Sequence, residues 1–339
     1  MNCPLYDPFG ADLLTDISVS QPTALAARAQ TARRAGAGDT RFRLLTLLAA
    51  LVVLAIFIGV IAALIIGAMP AFKEFGIAFI WTQAWRPSRE IFGALGPITG
   101  TLVTSAIAML IATPVGIGVA IFLTELCPRV LRRPIGIAVE LLAGIPSIIY
   151  GIWGLFVFAP WFLEHVQTPI TDKVDGIPVL QTLFAGPAFG IGTFTAGLIL
   201  SIMILPFIAA ITRDVLETVP SVLKEASYGL GSTSWEVMSK VAIPYSRAGI
   251  VGGAMLALGR ALGETMAITF VIGNAHKIMP SLFAPGTSIS ATIANEFSEA
   301  TSPLYTASLI ELGLLLFVIT FIVLAAAQLM LRRLDRGKA

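Results

Sequence analysis

Apolar residues in this chain run in unbroken blocks, without the spaced stripes of a soluble helix. Leu44 to Phe72 contains no charged side chain, and neither does the stretch between Glu90 and Glu125 nor that from Gly176 to Thr212. Pro134 to Leu163 is interrupted only by Glu140, and Pro303 to Leu331 only by Glu311. A sixth run, Ile250 to Val271, carries Arg260 and Glu264 in an otherwise apolar, glycine-rich setting. About 20 mostly apolar residues carry a helix across a hydrocarbon layer about 30 Å thick, where open strands leave their backbone unsatisfied. The pattern predicts an all-α integral membrane protein with six transmembrane helices.

Composition agrees. Of 339 residues, 56% are hydrophobic and 12% charged, about half the charged fraction of a water-soluble domain, and the mean hydropathy is +0.88. A soluble enzyme with a large core is thereby excluded. Lysine and arginine are enriched in cytoplasmic loops. With the N-terminus inside, sixteen of them fall on the inner side and five on the outer, with Arg260 within the membrane. Both termini are therefore expected in the cytoplasm of a bacterial inner membrane. The net charge of +2 adds little, and no basic patch argues for nucleic acid. The first apolar run is longer than the h-region of a cleavable signal and is expected to stay as an anchor. Cys3 and Cys127 fall on the inner side, so neither a disulfide framework nor a zinc site is implied. His165 and His276 fall in outer loops and read as surface residues.

Five regions follow. Residues 1–43, rich in Ala, Arg, Thr and Gln, form a mobile cytoplasmic tail. Residues 44–72 are the first transmembrane helix, and 73–97 an outer interfacial segment whose Phe75, Phe79, Trp81 and Trp85 suit a headgroup layer. Residues 98–331 hold the other five spans, and 332–339 a short cytoplasmic tail. Pro114, Pro146 and Pro206 interrupt spans and predict kinks. The glycine run Gly229 to Ser234 lacks the third glycine of a dinucleotide fingerprint, and no G-x-x-x-x-G-K-[ST] phosphate loop occurs. If ATP drives this protein, another chain binds it.

The longest inner loop, 213–247, carries helix punctuation. Pro220 suits a first turn, Val222, Leu223, Ala226 and Leu230 recur at helical spacing, and Gly231 suits a left-handed stop. Thr233 and Glu236 make a capping box for a second helix bearing Trp235, Met238, Val241 and Ala242, ended by Pro244. The loop reads as a helix-turn-helix with an apolar face, buried either on its own spans or on another protein.

The spacing EAS at Glu225–Ser227, then Gly231, then VAIP ending at Pro244 resembles the EAA loop of ABC importer permeases. There the first helix is the coupling helix, seated in a cleft of a separate ATPase. Glu225, Ala226, Ser227, Gly231 and Pro244 are the residues that carry the likeness. IFGALGPITGTLVTSAIAMLIATPVGIGVAIFLTE, ELLAGIPSIIYGIWGLFVFAP, GRALGETMAITFVIGN and TIANEFSEA extend it, from about residue 70 to 335, to the PstC-type permeases of phosphate-specific importers. The resemblance implies a type I ABC importer permease fold and transport of inorganic phosphate by alternating access. It also implies a PstA-type permease as the other half of a heterodimer, a PstB-type ATPase dimer that binds ATP and magnesium, and a PstS-type phosphate-binding protein docking outside. The chain itself has no catalytic site, metal or cofactor on this reading.

Arg260 and Glu264 are the candidate substrate-path residues. The ten strongly apolar residues of Ile250 to Val271 favour insertion by roughly 3 to 6 kcal/mol. The two charges oppose it by about 2.5 to 3.5 kcal/mol each, so that side is not expected to face lipid. Four residues apart, the pair is expected on one helical face about 6 Å apart along the axis. A structural salt bridge and a substrate contact are both open on spacing alone. An arginine forks onto a tetrahedral oxyanion and keeps its proton, which suits phosphate but also sulfate or molybdate. An ion-coupled transporter or channel acting alone is the alternative from a different class. Glu140 and Glu311, nearer the ends of their spans, read as snorkelling or packing residues.

Overall fold

A computed structural model describes residues 21–174, 178–184 and 189–336. Cys3, the first twenty residues of the expected N-terminal tail and the last three of the C-terminal tail lie outside the described residues. The chain divides into two compact units at Ala63 and Leu64. The first contains α1 (Gln21–Phe75) as far as Ala63, its helical backbone reaching back through residues 21–43. Leu51, Val53, Ile56 and Phe57 there are exposed, as lipid-facing residues are.

In the second unit, α2 (Leu95–Leu126) is followed by α3 (Arg129–Ala143), α4 (Ser147–Lys173) and α5 (Thr193–Glu217). Then come α6 (Ser221–Gly229), α7 (Ser234–Leu262), α8 (Met266–Val271), α9 (Ile289–Glu296) and α10 (Pro303–Arg336). Six helices, counting α1 from Thr40, are long and apolar enough to cross a membrane. No strand forms among the described residues beyond a single bridge between Arg86 and Ile91. Several expected boundaries shift. Pro134 to Leu163 is two helices, because Gly144 and Pro146 separate α3 from α4. The fourth span starts at Thr193 and not near Gly176, the fifth at Ser234 and not Ile250. Pro114 and Pro206 sit inside unbroken helices, so of the three prolines only Pro146 marks a break.

The centre of the unit is α5, whose most apolar window is 61% buried against 17% for α10. Its Leu200, Ile204 and Ile208 pack on Ala108 and Ala112 of α2, with Ala257 and Ala261 of α7 completing the cluster. Small residues opposite large ones let helix axes approach closely. Gly249 and Gly253 serve this, since a Cβ there would meet Val215 and Ile211 of α5.

The two ends of the unit differ. At one, Phe79, Trp85 and Phe92 are buried with Tyr305, Leu309 and Leu312. Phe79 and Trp85 are therefore core residues and not headgroup anchors, because the segment after α1 folds onto α10. Trp81 remains exposed. The other end carries Arg129, Arg132, Arg133 and Arg213 and the hairpin between α5 and α7.

Candidate functional site

The fifth apolar run is discontinuous. Helix α7 stops at Leu262, Gly263 leaves helical geometry at φ −92°, ψ 1°, and α8 restarts at Met266. Glycine is a poor helix former, and the break is held by its surroundings. The carbonyl of Glu264 accepts a bond from Ser290 Oγ at 2.6 Å, and its Oε1 accepts from the Ala267 amide at 3.3 Å. Glu264 is buried, with 8% of its surface exposed, and its carboxylate faces the open amides of the α8 first turn, where negative charge is favoured.

Arg260 lies in the last turn of α7, favourable for a cation, and is exposed. Glu264 lies just past the helix end, its amide bonded to the Ala261 carbonyl at 3.4 Å. Among the described residues no ion pair joins Arg260 to Glu264. The guanidinium and the carboxylate thus have different duties: Glu264 secures the discontinuity and Arg260 is left without a carboxylate.

The partner that holds the break is α9. After α8 the chain returns into the unit, so that Ala291 joins the central cluster beside Ala257, Ala261 and Ile268. Ser288 caps α9 by accepting from the Ala291 amide, and the Ile289 amide donates to Thr101 Oγ1 of α2 at 2.9 Å. Gly100 lets this segment in: a Cβ there would overlap the Thr287 carbonyl. The row of small hydroxyl residues from Thr287 to Thr292 was the available signal for this polar, re-entering segment. No charge marks it in the sequence.

The other charged residues meet expectation in part: Glu311 takes the packing role and His165 is exposed. Glu311 is 5% exposed and its Oε2 has no hydrogen-bond partner among the described residues, so it packs and does not snorkel. Glu140 pairs with Arg213 at 2.7 Å. His165 lies within α4, stacked on Trp161. His276 is not a surface residue: it stacks on Trp85 and bonds Glu296 at 2.8 Å. Glu296 also accepts from Trp85 at 2.5 Å and Tyr305 at 2.6 Å. Burial pushes the Glu296 carboxyl up, but the bonds from His276, Tyr305 and Trp85 outweigh it and hold the group below its usual range.

The hairpin forms as its punctuation predicts, up to Pro244. Pro220 precedes α6, Gly231 takes φ +87°, and Thr233 and Glu236 make the reciprocal capping box. Pro244, however, does not end the second helix, which passes through a π-turn at Met238–Ala242 and continues to Leu262. The π-turn directly precedes Pro244, where a missing donor and the proline ring are most readily accommodated within a continuing helix. Val237, Met238 and Ala242 are buried, whereas no residue of α6 is. Leu230 and Trp235 stand 89% and 68% exposed. Glu225, Ala226 and Gly231 are exposed and Ser227 half-buried. The first helix is tied at its start by Lys224, which meets Glu125 at 2.6 Å.

An exposed, braced hairpin over a bundle with a broken span is a permease arrangement, and the family of binding-protein-dependent transport system inner membrane components matches residues 112–336. The chain belongs to this family, in its PstC-type group. It is 60% identical over 322 residues to the phosphate transport system permease protein PstC of Mesorhizobium japonicum, covering 95% of this chain and 98% of that protein. To PstC of Pasteurella multocida it is 55% identical, over 87% and 92%. Among solved structures, a chain of a bacterial alginate ABC transporter, in complex with an alginate-bound periplasmic protein, shares the fold. The TM-score is 0.57 at 20% identity, covering 85% of this chain and 94% of that one. The permease is a multi-pass inner-membrane protein with the type I ABC importer architecture.

Proposed function

We propose that this permease forms one half of the membrane path of an ATP-driven importer for inorganic phosphate. A PstA-type permease supplies the other half, a PstB-type ATPase dimer drives it, and a PstS-type binding protein delivers the substrate. ATP and magnesium belong to the ATPase, and the arginine-rich end with both termini faces the cytoplasm. The observation that carries the reading is the hairpin, whose α6 has no fully buried residue while Leu230 and Trp235 stand exposed. Such a surface is suited to a cleft in another subunit. The names of the relatives support phosphate over sulfate or molybdate.

In this reading the ATPase dimer moves α6, and the motion enters the bundle through α7, which is continuous from the hairpin to the break beside Arg260. Arg260 provides a permanent, forked donor set for a tetrahedral oxyanion. Glu264 keeps the break in place. With the partner subunits present and membrane abundance matched, Arg260→Gln is expected to lower phosphate uptake at least about tenfold, the loss of one charge-assisted contact. Arg260→Lys should recover part of it. Uptake by Arg260→Gln at the unmodified level would remove Arg260 from the path.

A further inference from the structure

Helix α3 has a division of faces that transport does not use. Arg129, Arg132, Arg133, Gly136 and Glu140 recur at spacings of three and four and share one side. Val130, Ile137 and Leu141 occupy the adjoining flank, about a quarter turn round the helix, and are 85%, 47% and 69% exposed. The arginine side faces the end of α5 across a cavity of about 340 Å³, walled also by Arg213 and Glu217.

The charges in this cavity are unbalanced. Four arginines meet two glutamates, and Glu140 is already engaged by Arg213, which also holds Asp214 at 2.9 Å. Arg132 donates through Nη2 to the Thr124 carbonyl, while its Nε is buried without a partner. Among the described residues Arg129 and Arg133 make no ion pair. Gly136 leaves room for the Arg213 guanidinium, since a Cβ there would press on Nη1. Cationic groups gathered between helices at a membrane edge attract anionic headgroups.

We infer that this cavity holds the phosphate headgroup of an anionic phospholipid, its acyl chains lying along the exposed apolar flank of α3. The apolar flank separates this from a site for free phosphate. Ile137 lines the cavity itself and Leu141, one turn on, carries the apolar surface away from it. The site is connected to the hairpin: Arg132 holds the carbonyl of Thr124, and the next residue, Glu125, holds Lys224. An occupied site therefore braces the root of the hairpin.

The test uses the purified full-length chain in mixed phosphatidylcholine and phosphatidylglycerol nanodiscs, reading the phosphatidylglycerol retained after extraction by native mass spectrometry. Each of Arg129→Gln and Arg133→Gln is expected to weaken retention about fivefold, and the double variant by the product. Arg86→Gln with Arg89→Gln, the same charge loss at the opposite end, should change nothing. Equal retention in all variants overturns the site, as it would if another subunit's acidic face were the natural occupant. Displacement by millimolar inorganic phosphate also overturns it, because a free anion would then suffice. Should the double variant fail to fold, a photoreactive phosphatidylglycerol on the unmodified chain decides. Labelling within residues 129–142 is expected, and labelling confined to other segments refutes the proposal.

Discussion

Glu296 illustrates how much one side chain can organise. Trp85 comes from the segment after α1, His276 from the loop after α8 and Tyr305 from α10, and all three reach the same carboxylate. Because the Glu296 carboxyl is held below its usual range, its bonds stabilise the fold fully above the unfolded value of about 4.3. That contribution fades as pH falls through the lower folded value. Thermal unfolding of the purified chain should show its melting point dropping on acidification below about pH 4.5, and Glu296→Gln should flatten that dependence. At neutral pH the variant should lose about 1 to 3 kcal/mol, since a charged acceptor of three bonds is replaced by an amide. An unchanged acid profile would mean that the cluster is not what titrates. Sequence could flag Arg260 and Glu264, whose charges stand out against an apolar run. It could not show that the run breaks between them, because the break at Gly263 is held by Ser290, 26 positions beyond Glu264. Glu296 and His276 carried no such contrast, lying among polar residues.

At the scale of elements, the turn of the hairpin was legible because its chemistry is local. A left-handed glycine and a capping box each depend on residues within four positions. Helix ends that depend on distant packing were not. Pro244 reads as a stop in isolation, yet α7 continues through it once Met238 and Ala242 are buried against Leu216 and Val219. The amphipathic α3 was hidden inside an apolar run because only Gly144 and Pro146 separate it from α4. Gly231 makes the local argument testable. A Cβ there would meet nothing within 4 Å, so a substitution costs through backbone strain at φ +87° and not through a clash. A β-branched residue in that conformation costs on the order of 1–3 kcal/mol, enough to shift a nine-residue helix that has no fully buried residue. Gly231→Val is expected to insert and accumulate normally while ATP-driven phosphate uptake falls by at least about tenfold. Normal uptake by a well-expressed variant would show that the shape of the turn is not transmitted.

At the scale of the whole molecule, the six spans were legible because lipid imposes the same demand on every one of them, whereas a pathway is shared between proteins and leaves a weaker trace in either sequence. Helix α5 is enclosed by its neighbours, but α10 is 17% buried over its most apolar window and Arg260 is exposed. An uncovered arginine in a spanning segment is costly in lipid. Its face is therefore expected to be closed by a second permease, and the exposed α6 by an ATPase. Phosphate flux should accordingly be absent from vesicles that contain this chain alone, whatever ion gradient is imposed. It should appear when the PstA-type, PstB-type and PstS-type partners are added with ATP and magnesium, and cease when a non-hydrolysable nucleotide replaces ATP. Gradient-driven uptake by the lone chain would instead make the discontinuity at Gly263 the ion site of a self-contained carrier, and would leave the hairpin without a purpose in transport.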